Sequence, residues 1–372
     1  MAIPDLKISG DRLAIVDDMI FRLIRTRMSI AGDVAAFKKK TGEPIFRSGI
    51  EDARIEKVRR LAEEIGLNPH FAESILYFLI DESCKQQMIQ LQSGETATQE
   101  LPDDLDARFK VFRHNLIELT RTIAGSYNAS TKEHPATALY LDFEKAQVLK
   151  QIKQLNKTSV ALDLGCGAGR MAAFLGDHFE TVIGYDLSQH MVATASNAGY
   201  GNHISFEQTD LEEGIPLEDE SVSFVVCSLG TASDIRNATR LIHEVSRVLQ
   251  KDGRFLFSFY NKDALMYHSS FLPWETGLAA QINLDENCLT VHFGGKDFRI
   301  YARAYSWSEI EAVLTGTLLY PDSYLTHPTI TSIIPSSLLK NKPEVITSMG
   351  HIDSSLATNG DGAYYLISGP KR

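Results

Sequence analysis

Apolar residues recur at helical spacing through residues 1 to about 92. Val16, Ile20, Leu23, Ala31 and Val34 share one face of a helix predicted from about Asp11 to Lys40. Arg27 and Lys38 fall on the same stripe, so two cations stand where a core is expected. "TGEPIFRSG", with Gly42, Pro44 and Gly49, breaks this helix. A second helix, "IEDARIEKVRRLAEEIG", aligns Glu51, Ile55, Val58, Ala62 and Ile65 and ends at Gly66, a C-cap. A third, with Pro69 in its first turn, aligns Leu76, Ile80, Ser83, Gln87 and Leu91. Each helix thus turns polar groups toward a common core, where charge is costly unless paired. Either these groups satisfy one another, as snorkelling side chains do, or they surround an anionic ligand.

The polar stretch "SGETATQELPDD" reads as a linker, and helical periodicity resumes over residues 105 to 155, interrupted by "AGSYNASTKEHPAT". From Thr158 the period changes. "SVALDLG", "TVIGYD", "ISFEQTD", "SVSFVVCSLG" and "GRFLFSFYN" are short strand-like runs separated by helical patterns. That alternation predicts βαβ units and a parallel sheet. "CLTVHFGGKDFRIYARAY" reads as a hairpin turning at Gly294-Gly295, followed by the helix "WSEIEAVLTG" and strands near "TLLYPDSYL" and "AYYLISGP". The chain is therefore expected to be multidomain: an all-α domain over 1–93, a linker and helix over 94–125, and an α/β Rossmann-like domain over 126–372.

Composition narrows the function classes. The chain has 372 residues, 44% hydrophobic and 23% charged, as in globular proteins with sizeable cores. Its formal net charge of −11 argues against broad nucleic-acid binding, which needs a basic face. No apolar run approaches a membrane span, and the N-terminus lacks the basic-then-apolar pattern of a signal peptide. Cys84, Cys166, Cys227 and Cys288 are scattered without CxxC spacing, so free thiols in a reducing cytoplasm are expected and no metal site.

"VALDLGCGAGR" is the most specific stretch. A buried strand ends at Asp163 and runs into Gly165, Gly167 and Gly169, where glycine lets backbone turn tightly and approach a ligand. The spacing G-x-G-x-G differs from the G-x-G-x-x-G of nicotinamide-binding folds. With Asp186 closing the next strand and Asp210 the one after, residues 158 to 262 resemble the class I S-adenosylmethionine-dependent methyltransferases. The resemblance implies S-adenosylmethionine as cofactor. Gly165, Cys166, Gly167 and Gly169 would lie against its methionine half, and Asp163 would orient the amino-acid portion. Asp186, followed by Leu187, would accept from the ribose hydroxyls. Asp210 would take the adenine amino group, with Leu211 as an apolar wall, and "SLGTAS" would face the sulfonium. Cys166 reads as a small buried residue rather than a nucleophile.

The acceptor is less legible. "GSYNASTKEHPATALYLDFE" corresponds to a lid in that family and offers Tyr127, His134 and Tyr140. "FSFYNKDALMYH" adds Tyr260, Asn261, Tyr267 and His268, and the hairpin adds Arg299 and Arg303. Transfer to oxygen or nitrogen needs a base near the nucleophile, for which His268 is the first candidate, with Tyr127 beside it.

"IVDDMIFRLIRTRMSIAGDVAAFKKKTGEPIF" and "GLNPHFAESILYFLIDESCKQQ" resemble the all-helical type II chorismate mutases over nearly all of residues 9 to 92. Arg27, Lys38, Glu51, Ser83 and Gln87 fall on that family's active-site positions. There Arg27 would pair with a substrate carboxylate, assisted by Ser83. Lys38 and Gln87 would donate to the ether oxygen, and Glu51 would hold the ring hydroxyl. Catalysis would rest on matching developing charge. Three family positions differ: Gly10 and Ile50 replace arginines, and Arg47 replaces an aspartate. Arg47 or Arg54 could rebuild the carboxylate clamp.

These resemblances imply a methyltransferase acting on a small, carboxylated metabolite related to chorismate or prephenate, with a degenerate or altered mutase-like domain and a homodimer formed through it. Four alternatives stand beside this: a bifunctional mutase and methyltransferase; a methyltransferase regulated by a metabolite-binding, dimerising domain; a synthase in which prephenate reacts with the cofactor itself; and, last, an RNA methyltransferase with the helical domain as a docking element.

Overall fold

A computed structural model describes residues 6–41, 48–92, 101–132, 134–268, 282–293, 296–334, 336–339 and 342–372. The chain divides into two compact units near Gln99. The expected architecture, an all-α unit followed by an α/β unit, is present.

The first unit holds α1 (Leu6–Thr41), α2 (Ser48–Glu64) and α3 (Pro69–Gln92). Gly66 takes φ of +71°, so the predicted C-cap adopts the left-handed conformation that glycine enters at little cost. Leu76, Ile80 and Cys84 of α3 form a small core with Ile55 and Val58 of α2, and Ala31 and Ala35 of α1 are also buried. The apolar stripe of α1 is only half used. Val16, Ile20 and Leu23 are exposed, as are Leu13, Met19 and Phe21 beside them. The turn "TGEPIFR", including Arg47, lies outside the described residues.

The second unit opens with α4 (Leu105–Ile123), α5 (Tyr127–Ser130) and α6 (Pro135–Ile152). The helix expected between the linker and residue 125 thus belongs to this unit. There follow β1 (Val160–Leu164), α7 (Arg170–Gly176), β2 (Thr181–Asp186), α8 (Gln189–Asn197), β3 (Ile204–Gln208) and β4 (Val222–Cys227). Then come α9 (Thr231–Asp234), α10 (Ala238–Val248), β5 (Leu249–Asn261), α11 (Leu265–His268), β6 (Ile282–Asn283), β7 (Cys288–Phe293), β8 (Lys296–Tyr301) and β9 (Ala304–Tyr305). The chain closes with α12 (Trp307–Leu314), β10 (Ser323–His327), α13 (Ser336–Leu339), α14 (Pro343–Ser355) and β11 (Tyr364–Pro370).

Strand order in the main sheet is β10-β11-β5-β4-β1-β2-β3, with β9 added beside β5. The path from β1 through β5 is parallel, whereas β11 runs antiparallel to both β5 and β10. All six residues of β4 are buried, which is why "VSFVVC" is an unbroken apolar run rather than an alternating one. On α10, Leu241, Ile242, Val245 and Val248 are buried at helical spacing, and Asn237 caps its start. Order reverses between β1 and β4, so a crevice opens beyond the carboxyl ends of those strands. Open α/β sheets bind ligands at such a reversal.

A smaller sheet orders β6-β7-β8, with Phe293 opposite Lys296. This is the predicted hairpin; its Gly294-Gly295 turn lies outside the described residues. Helix α4 lies against β8, where Phe109 meets Tyr301 edge-on at 5.4 Å and Asn115 donates to the Arg299 carbonyl at 2.9 Å. Among the described residues, no helix is long and apolar enough to cross a membrane.

Candidate functional site

At the crevice, the loop from β1 to α7 carries Gly165, Gly167 and Gly169 at φ of +69°, +53° and +82°. Side chains rarely adopt such angles, and space forbids them too. A Cβ on Gly165 would lie 2.3 Å from Thr231 Cγ2, and one on Gly169 would lie 2.7 Å from Tyr200 Cε2. Tyr127 of α5 packs over Gly167, with Cε1 3.4 Å from where a Cβ would stand. Cys166 is buried against Gly184 of β2, and burial drives its thiol pKa well upward, opposite to what a nucleophile needs.

Asp163, within β1, is fully buried, and neither of its carboxylate oxygens has a hydrogen-bond partner. Burial pushes its pKa up to about 7, which the nearby Arg170 guanidinium and the Ala172 backbone amide offset only in part. Asp186, at the end of β2, accepts from the Gly167 amide at 2.8 Å through Oδ2 and from the Ser188 amide at 2.8 Å through Oδ1. It therefore ties the glycine loop to the next strand, and burial raises its pKa against those two amides. Leu187 is half-buried and its carbonyl accepts from Gln208.

Asp210 is not open, as its expected role would suggest. Arg113 of α4 grips it with two bonds, Nη1 to Oδ1 at 3.0 Å and Nη2 to Oδ2 at 2.6 Å, and the Glu212 amide donates to Oδ1 at 3.0 Å. A carboxylate offers about four lone-pair sites, so roughly one remains. Leu211 is buried in the main core. Arg113 carries no signal in sequence, because its partner is 97 residues away on another element.

Beyond β4 lies a second polar group of side chains. Fully buried Glu144 of α6 accepts from the Tyr140 hydroxyl and the Leu229 amide, each at 2.9 Å, and pairs with Arg170 at 3.3 Å. Tyr140 stacks on Tyr364 at 4.2 Å. Asp234, at the end of α9, lies beside the Tyr260 hydroxyl, which favours its ionised form, while its Oδ1 is buried without a partner. Burial raises its pKa to about 8. The Tyr127 hydroxyl is pushed up to about 12 by burial and by the carboxylates of Asp186, Asp234 and Glu144. His268 stands exposed at the end of α11. Asp234 directly follows "SLGTAS", the stretch expected to face the sulfonium, but nothing in the sequence singles it out.

In the helical unit, four of the five expected residues meet in two hydrogen-bonded pairs, and the charge of the fifth, Glu51, acts on Arg27 and raises its pKa. Arg27 donates to the Leu79 carbonyl and to Ser83 Oγ, and buried Lys38 donates to Gln87 Oε1 at 3.0 Å. The cations in the α1 stripe thus face polar atoms of α3. Glu51 pairs with Arg54 at 3.0 Å. Burial and the nearby Arg54 charge lower the Arg27 pKa, so the two guanidinium groups feel one another.

Comparison with known proteins agrees with this division. Residues 162–257 match the family model of a methyltransferase domain, and residues 11–88 match that of chorismate mutase type II. The chain is 36% identical over 100 residues to an uncharacterized methyltransferase, YcgJ, of Bacillus subtilis, covering 26% of this chain and 38% of that protein. It is 26% identical over 164 residues to a probable S-adenosylmethionine-dependent methyltransferase of Saccharomyces cerevisiae, covering 41% of this chain and 55% of that one. It is 28% identical over 149 residues to a malonyl-[acyl-carrier protein] O-methyltransferase of Marinomonas, covering 39% and 54%. The chain thus spans less than two thirds of the length of these relatives.

Proposed function

We propose that the second unit is an S-adenosylmethionine-dependent methyltransferase whose acceptor is a small, carboxylated metabolite related to chorismate or prephenate. The observation that carries the cofactor reading is Asp163. A buried carboxylate whose two oxygens accept no well-formed hydrogen bond, beside a loop built of glycines, suits an ammonium group. Asp186 stands where a ribose would be held, and Asp210 keeps about one lone pair for an adenine amino group. Gly165, Cys166, Gly167 and Gly169 supply the cradle, and Leu187 and Leu211 stand beside the two strand-end aspartates. When bound, the cofactor supplies an electrophilic methyl on sulfur. Tyr127 and the α5–α6 segment cover the loop and keep water out, so orientation and exclusion of water supply most of the rate.

The acceptor class rests on the joined helical unit, which matches chorismate mutase type II over residues 11–88. Incubation with radiolabelled S-adenosylmethionine and chorismate, prephenate or their aryl-pyruvate descendants tests it. Label in an extractable product supports the class, and no labelled product from any of them removes it.

A second reading, that the helical unit also rearranges chorismate, is favoured by the meeting of Arg27, Lys38, Ser83 and Gln87 in one core. Arg54, paired with Glu51 one turn from Ile50, supplies a cation near the position where the resembling family has an arginine. In this reading Arg27 and Arg54 grip two carboxylates, while Lys38 and Gln87 serve the breaking ether bond. If turnover is absent, the unit is a metabolite-binding or dimerising module. Either way the exposed apolar side of α1, with Leu13, Val16, Met19 and Leu23, is fitted to a second copy of this chain, giving a homodimer. Four free cysteines suit a reducing cytoplasm.

A further inference from the structure

We propose that Asp234 is the proton acceptor for a methyl acceptor that reacts through a hydroxyl, with Tyr260 as the residue that positions it. This rests on the methyltransferase reading above and assigns the chemistry of its acceptor side.

The turn after β4 is built to hold Asp234 still. Gly230 takes φ of +81°, and a Cβ there would lie 2.2 Å from Tyr260 Cε1, so the tyrosine ring occupies the space a side chain would need. Ser233 Oγ accepts from the Tyr260 amide at 2.8 Å, and the Ser233 carbonyl accepts from the Arg303 amide at 2.9 Å. The neighbouring Thr231 packs on Gly165, which places α9 beside the cofactor loop. Asp234 thus lies beside the Tyr260 hydroxyl, which favours its ionised form, and its Oδ1 is buried with no partner.

Buried carboxylates serving structure are hydrogen-bonded, so an orphaned oxygen fixed at this place calls for a donor from outside the chain. The groups facing Asp234 are Tyr260 of β5, Tyr127 of α5, Tyr301 of β8 and Cys227 of β4, and each resists ionisation. The cations of this region are engaged elsewhere, Arg303 with Glu309 and Arg236 with Asp106. Once Asp234 is ionised, a carboxylate nucleophile would be repelled here, whereas a hydroxyl can donate into Oδ1. In the transfer the acceptor oxygen bonds to the methyl carbon as the carbon–sulfur bond breaks. The electron pair of that bond stays on sulfur, and the hydroxyl proton moves to Asp234 Oδ1. Asp234 must therefore be ionised before transfer, and the positive charge of a bound cofactor would favour that form.

The test needs no acceptor. Calorimetric titration with S-adenosylmethionine and with S-adenosylhomocysteine, in buffers of different ionisation enthalpy at pH 7, counts protons released. Both ligands carry the ammonium group, and only the first carries the sulfonium charge. With the Asp234 pKa raised to about 8, the cationic ligand should release up to about 0.9 proton more than the neutral one, and the difference should vanish well above pH 8. Asp234→Asn should bind both ligands and erase the difference, and Tyr260→Phe should keep it while moving it to higher pH. Equal release in the wild-type protein, or a difference surviving in Asp234→Asn, overturns the assignment. If neither ligand binds, the cofactor reading fails and the assignment falls with it. Should Asp234→Asn fail to fold, the wild-type pH series alone decides.

Discussion

Replacing Asp163 by asparagine should make the ligand-free protein more stable at alkaline pH while weakening the cofactor. The carboxyl is fully buried and its pKa lies near 7, against 3.8 for the unperturbed group. A raised carboxyl pKa means that the native state binds more protons than the unfolded one between those values. Stability is therefore unaffected below about pH 4, falls as pH rises, and is lowest above about pH 7. At 1.36 kcal/mol per unit the cost reaches roughly 4 kcal/mol at pH 8 and about 1.6 kcal/mol at pH 5, both upper figures. Asparagine removes the charge but buries an amide with no partner, at a cost of about 1–3 kcal/mol that does not change with pH. The sign at one pH is thus less informative than the slope. Scanning calorimetry without ligand should show the variant gaining about 2–3 kcal/mol on the wild type between pH 5 and pH 8, or about 5–10 °C in the α/β transition. Cofactor binding should weaken about 10–100-fold through loss of one charge-assisted contact. A stability difference that is flat with pH, or that falls, would refute the reasoning that Asp163 is a buried carboxyl awaiting a cation.

Other consequences follow from the same geometry. Arg113→Met removes a half-buried bidentate pair with Asp210 and should cost about 1–2 kcal/mol, read as a lower urea midpoint of the α/β unit. Chorismate loss followed without S-adenosylmethionine tests the helical unit: turnover that disappears in Lys38→Ala supports the rebuilt clamp, and no turnover leaves a binding or dimerising module. Leu23→Glu places a charge on the exposed side of α1 and should convert a dimer to monomers in analytical ultracentrifugation. An unchanged sedimentation coefficient would remove that face as the interface.

The frame of the α/β unit was legible because its signals are local. Strand runs such as "VALDL" and "VSFVVC" are buried on both faces, and Gly165 and Gly169 must be glycine for reasons of angle and space. The helical unit was legible through its misplaced cations. Arg27 and Lys38 in an apolar stripe foretold partners across a core, and Ser83 and Gln87 supply them. What could not be read depends on meetings across long sequence separations. The Arg113–Asp210 grip joins α4 to the end of β3 and leaves Asp210 far less open than its place in the motif suggests. Asp234 acquires its character only from burial and from Tyr260, neither of which "SLGTASD" announces. The antiparallel edge made by β10 and β11 also escaped, since short apolar runs do not state their direction.

In the proposed site, S-adenosylmethionine lies beyond the ends of β1 and β4, against Asp163, the glycine loop and Asp186. Equilibrium dialysis of radiolabelled S-adenosylmethionine against the wild-type protein and Asp186→Ala tests it most directly. Two charge-assisted bonds of about 1.5–3 kcal/mol each are at stake, so affinity should fall by more than about 100-fold. Saturable uptake of one ligand per chain in the wild type, lost in the variant, is the predicted result. Equal uptake by both proteins, or no uptake by a folded wild type, would contradict it.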